Sequence, residues 1–191
     1  MIWAAFTLAF FAFLRCSEFT YPGARNFSPQ FNVNLTTDCV TFSPSLARPQ
    51  HMLLKFKSSK IDSFRQGQSL VVARCSSLLC PVSAMQRYFM LAQPRSGPLS
   101  CFQSGRLLTR SSVTHLLQDS APCAGLPYES LKGHSFRIGT ASAAAAAGLP
   151  DWLIKVLGRW SSDCYQLYIR TPETVFLSAV PKMARLSGNF I

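Results

Sequence analysis

Gly133-His134-Ser135-Phe136-Arg137-Ile138-Gly139, then Leu157-Gly158-Arg159-Trp160-Ser161-Ser162-Asp163, then Tyr168-Ile169-Arg170: these segments decide the reading of this 191-residue chain. His134 and Arg137 stand three apart at the start of an alanine-rich stretch. That stretch reads as a helix over Ser135–Ala147, closed by Gly148. Side chains three apart at a helix start point toward one side. A histidine and an arginine there suit a phosphate, because backbone N–H groups and the helix dipole favour an anion. H-x-x-R by itself is a common pattern. A helical tyrosine such as Tyr168 is by itself more often packing than chemistry.

Two upstream segments matter. Leu14-Arg15-Cys16-Ser17-Glu18-Phe19 closes an apolar run, Ile2–Leu14, broken only by Thr7. An arginine there is costly to bury unless it meets a carboxylate or a phosphate. Glu18, one turn on, is in reach to hold Arg15, and a plain helix-end ion pair is the commoner explanation of such a pair. Lys60, in Ser58-Ser59-Lys60-Ile61-Asp62, falls near the tip of a predicted hairpin. Lys55 and Lys57 are close by, and position alone does not choose among the three.

Composition narrows the partners. Nineteen Lys and Arg against eight Asp and Glu give a net charge of +11, which calls for a polyanion: DNA, RNA or an anionic membrane surface. No acidic residue lies between Ser63 and Gln118, a stretch that carries Arg65, Arg74, Arg87, Arg95, Arg106 and Arg110. These arginines form either a phosphate-contacting surface or a scatter of solvated charges. An apolar content of 48% argues against general disorder. Ile2–Leu14 is shorter than the roughly 20 residues that cross a membrane, and no basic segment precedes it as in a signal peptide. It reads as a core helix. Seven cysteines without a C-x-x-C pair, with only three histidines, make a zinc framework hard to build. Reduced thiols in a cytosolic or nuclear protein follow.

Along the chain, residues 2–19 read as one helix, stopped by Tyr21-Pro22-Gly23. Residues 24–50 are turn-rich, with candidate strands Phe31–Leu35 and Cys39–Phe42. Met52–Lys57 and Ser69–Ala73 read as strands joined by a hairpin connection over Ser58–Gln68. Pro81 opens a helix over Val82–Gln93. Thr109-Arg110-Ser111-Ser112 starts another, with Val113–Gln118 as its body. Asp151 is expected to cap a helix that ends at Gly158. In the tail, Val175, Phe176, Ala179, Val180 and Met183 share one helical face. The expected fold class is α+β, mostly α, with a small antiparallel sheet.

The order of these motifs resembles the active site of the tyrosine recombinases, the phage-integrase family. It runs arginine with Ser-Glu-Phe, hairpin lysine, H-x-x-R, Leu-Gly-Arg-Trp, and a tyrosine ten residues past that glycine. The wording around His134 and Gly158 is most similar to Crypton and DIRS mobile-element recombinases. The resemblance spans essentially the whole chain and implies one catalytic domain over 1–191, with the fold of the DNA breaking-rejoining catalytic core. It implies Arg15, Lys60, His134, Arg137 and Tyr168 as catalytic residues, Tyr168 being the nucleophile. The family has His or Trp directly after the glycine, where gapless counting puts Arg159. We favour Trp160 for that role, with Arg159 as a phosphate contact. Tyr165, seven residues past Gly158, is expected to pack.

The resemblance further implies double-stranded DNA as partner, no cofactor or metal, a tetramer on DNA, no membrane association, and a nuclear location (cytoplasmic in a prokaryotic host). The amphipathic tail would serve either exchange between subunits or packing on its own domain. Family members carry a helical DNA-binding domain ahead of this one, so a chain that starts at the arginine helix is expected to be a fragment or relic, binding DNA weakly. Rival readings are a non-catalytic DNA-binding relic, a type IB topoisomerase-like enzyme, and a membrane or secreted protein built on the apolar N-terminus.

Overall fold

A computed structural model describes residues 1–25, 27, 34–57, 67–171, 173, 175–179 and 181. The apolar run begins as helix α1 (Ile2–Phe11), which buries Ala4, Ala5, Thr7, Leu8 and Ala9. The single helix expected over 2–19 is broken. Phe13 adopts a left-handed φ of 52°, and the Leu14 N–H bonds back to the Ala9 carbonyl. A short second helix, α2 (Cys16–Phe19), then starts with Arg15 as its N-cap. No glycine, asparagine or proline marks this break; tertiary contacts hold it.

Three strands form one antiparallel sheet in the order β1 (Val40–Ser43), β2 (His51–Phe56), β3 (Gln68–Ala73). The central strand alternates as a half-buried strand should, with Met52, Leu54 and Phe56 buried and Lys55 exposed. Met52 pairs with Val72 and Leu54 with Leu70, so both strands put their apolar side chains on one face. Of the segment Phe31–Leu35, residues 31–33 lie outside the described residues, and Leu35 is buried without being in a strand. Most of the hairpin connection, Lys60 included, also lies outside them.

Helix α3 (Pro81–Ala92) packs against α1 and brings Val82, Met85 and Tyr88 into the core with Leu8 and Phe19. Pro81 sits in its first turn, where a missing N–H costs nothing. Helix α4 (Arg110–Ser120) is capped as its sequence suggests, the Thr109 hydroxyl accepting from the Ser112 N–H at 3.1 Å. Helix α5 (Ser135–Ala146) follows, and α6 (Asp151–Leu157) is capped by Pro150 rather than Asp151, which instead occupies its first helical position. Residues 175–179 are helical, with Val175, Phe176 and Leu177 exposed; Val180 and Met183 lie outside the described residues. The chain divides into two compact units, Met1–Arg137 and Ile138–Ile191. Among the described residues no helix is long and apolar enough to cross a membrane.

Candidate active site

In the first unit, the Arg15 segment and the Gly133–Arg137 segment are packed together. The Arg15 guanidinium pairs with the Glu18 carboxylate at 3.2 Å, and the Arg15 N–H donates to the same carboxylate at 2.7 Å. Glu18 is buried and the Arg15 side chain retains 22% exposure, so the cation is restrained yet partly open to solvent. The carboxylate caps α2 and orients the arginine at once.

Lys132 and Ser135 close a tight turn. The Ser135 N–H donates to the Lys132 carbonyl at 2.9 Å, and the Lys132 N–H donates to the Ser135 hydroxyl at 2.9 Å. The turn leaves His134 exposed, immediately ahead of the first residue of α5. Gly133, within the turn, is buried. A Cβ there would lie 3.1 Å from the Cys16 side chain and 3.2 Å from the Arg110 Nε, so a side chain at 133 would require those neighbours to give by a few tenths of an ångström. Three residues on, the Phe136 ring meets Phe6 at 5.0 Å and Phe19 at 5.8 Å, both edge-on. Arg137 is almost wholly buried and donates to the Phe13 carbonyl at 2.8 Å. This bond ties Arg137 to the left-handed break that precedes Arg15.

In the second unit, Gly158 ends α6 and keeps right-handed backbone, while Arg159 takes a left-handed φ of 55°. The reason for glycine is space: a Cβ at 158 would fall inside the Trp160 ring. The buried Trp160 indole packs against Tyr165 at 5.9 Å and Tyr168 at 5.5 Å. Tyr165 is buried, in keeping with packing, whereas Tyr168 is half-exposed at the end of a 3-10 turn over Asp163–Tyr168. Lys155 reaches Asp163 at 2.7 Å and ties the end of α6 to the start of that turn; the carboxylate raises the lysine pKa.

Ser142 is a residue that the motif reading missed. Its hydroxyl accepts from the Arg170 N–H at 2.7 Å and donates to the Tyr168 carbonyl at 3.3 Å, fixing the backbone around the tyrosine. The one signal was a hydroxyl interrupting an alanine run. Other tyrosines are set apart by burial. Tyr21 donates to the Leu35 carbonyl at 2.7 Å, and burial pushes its phenol far above the ordinary range; burial raises Tyr88 as well.

No family model matches this chain, and no curated protein matches it in sequence. Solved structures do match. The XerA recombinase superposes with a TM-score of 0.66 at 15% identity, over 95% of this chain and 57% of that one. The fold is that of a tyrosine recombinase catalytic domain. The XerH site-specific recombinase, bound to a palindromic difH substrate in a post-cleavage complex, gives 0.63 at 14% identity, over 93% of this chain and 44% of XerH. The Tn1549 transposon integrase, in complex with circular intermediate DNA, gives 0.55 at 16% identity, over 94% and 56%. The chain thus spans about half the length of the solved proteins that it matches.

Proposed function

We propose that this chain is a DNA strand transferase of the tyrosine recombinase family, of the Crypton or DIRS kind, acting through a 3′-phosphotyrosyl intermediate. The observation that carries the reading is the coincidence of a recombinase fold with a half-exposed Tyr168 seated on Trp160, at the spacing that the family's nucleophile has. The DNA-bound state of XerH and of the Tn1549 integrase supports duplex DNA as the partner, as does the +11 charge.

In this reading the Tyr168 oxygen attacks a DNA phosphorus, and the bond to the 5′ oxygen breaks. Lys60 supplies the proton to that leaving oxygen, and His134 assists in removing the tyrosine proton. Arg15 and Arg137 hold the non-bridging oxygens, whose charge grows in the transition state. The fork of a guanidinium suits that task better than an ammonium. Trp160 supports the tyrosine. A 5′ hydroxyl from a partner strand reverses the step, and the energy of the broken bond is kept in the phosphotyrosine. We assign the working form to a tetramer on DNA, in a nucleus or, in a prokaryotic host, the cytoplasm.

The test is a suicide-substrate trap: nicked duplexes, purified protein, and a search for a covalent protein–DNA band in wild type and Tyr168→Phe. A band present in wild type and absent in the variant is the expected result. DNA bound without any band would favour a non-catalytic DNA-binding relic, and relaxation of supercoiled plasmid would favour a topoisomerase.

A further inference from the structure

Arg110, one of the arginines of the acid-free stretch, belongs to none of the segments that carry the resemblance, yet it lies beside two of them. It is the first residue of α4, exposed to solvent, and among the described residues no carboxylate pairs with it. Gly133 is wedged between its Nε and the Cys16 side chain, so the guanidinium flanks the turn that presents His134 and the residue that follows Arg15. Its charge is felt there. Burial pushes the Cys16 thiol up, while the Thr20 hydroxyl and Arg110 pull it back. The surrounding stretch from Ser63 to Gln118 contains no acid that would claim the guanidinium locally.

We propose that Arg110 is a further DNA-phosphate ligand, gripping the backbone beside the phosphate that Arg15 and His134 face. The assignment rests on the strand-transfer reading for which phosphate that is. Arg110 acts on the bound ground state: it sets affinity and register, and leaves the chemical step to the other residues.

The experiment measures the affinity of the full chain for a duplex oligonucleotide across a salt series, in wild type, Arg110→Ala and Arg110→Lys, with a melting curve for each. The adduct assay is run on the same proteins at limiting and saturating DNA. The expected result for Arg110→Ala is about tenfold weaker binding and a salt slope shallower by about 0.9, the loss of one phosphate contact, with melting unchanged. Arg110→Lys keeps the slope. Adduct formation by Arg110→Ala falls at limiting DNA and recovers at saturation. An unchanged affinity and slope in Arg110→Ala overturns the proposal, as does a loss of melting temperature that accounts for the weaker binding. Wild-type protein that binds DNA but forms no adduct sinks the strand-transfer reading, and the slope comparison still decides Arg110. Wild type that binds no duplex overturns both.

Discussion

The backbone of Gly158 lies directly under the indole of Trp160, so close that no side chain fits between them. Gly158→Ala must therefore move the ring, and with it the support of Tyr165 and Tyr168. Overpacking of this kind costs about 1–3 kcal/mol. We expect that loss in chemical denaturation, together with reduced adduct formation by Tyr168. A variant as stable and active as wild type would show that the ring need not sit where it does.

Trp160 and Arg159 compete for one role, and their environments separate them. Trp160 is buried with its ring 5.5 Å from that of Tyr168. Trp160→Ala opens a cavity beside the tyrosine, at a cost of about 3–5 kcal/mol. Adduct formation should fall further in Trp160→Ala than in Arg159→Ala, with Trp160→Phe between wild type and Trp160→Ala. The opposite ranking would hand the position to Arg159.

Glu18 serves two donors of Arg15, its N–H and its guanidinium. Removing the carboxylate leaves α2 uncapped and the arginine free to wander. Glu18→Ala should lose about 1–3 kcal/mol in denaturation. Glu18→Gln, which still offers an oxygen to the Arg15 N–H, should keep much of the stability and lose adduct rate. Equal stability loss in both variants would mean that charge rather than the cap is what matters.

Much of this was legible in the sequence because local rules and the fold agreed. Pro81, the alternation of Met52, Leu54 and Phe56, and Thr109 each predicted its element to within a residue or two. The break at Phe13 was not legible. A phenylalanine with a φ of 52° contradicts its own propensity, and its carbonyl is met by Arg137, far along the chain, which no local rule could reveal. The start of α5, by contrast, is set locally: the Lys132–Ser135 bonds place His134 just ahead of its first residue. Asp151 is a smaller case, in which Pro150 supplied the extended residue before the helix. Of the residues carried over by resemblance, Lys60 lies outside the described residues.

Arg137 combines a structural bond with the role that the resemblance gives it. Its bond to the Phe13 carbonyl is 124 positions distant in sequence and fully buried. Arg137→Lys keeps the charge but cannot supply donors in two directions from one planar group. We expect adduct rates about a hundredfold lower or worse, on the scale of losing one transition-state donor, with a measurable drop in melting temperature. Wild-type rates in Arg137→Lys would remove Arg137 from the phosphate clamp.

Cys80 gives a pH-dependent signal away from the motifs. It precedes α3 and is wholly buried, which on its own raises a thiol pKa. The Cys75 N–H donates to its sulfur at 3.3 Å, and bonds from Cys75 and Ser83 outweigh burial, lowering the pKa from 9.0 to about 7. The folded state thus prefers the thiolate. That preference adds stability in full above the unfolded value, and the addition is lost as pH falls through about 7. The stability gap between wild type and Cys80→Ser should therefore widen from pH 7 to pH 9, and thiolate absorbance should titrate near 7 in wild type only. A gap that stays constant over that range would show that the sulfur remains protonated and that burial dominates after all.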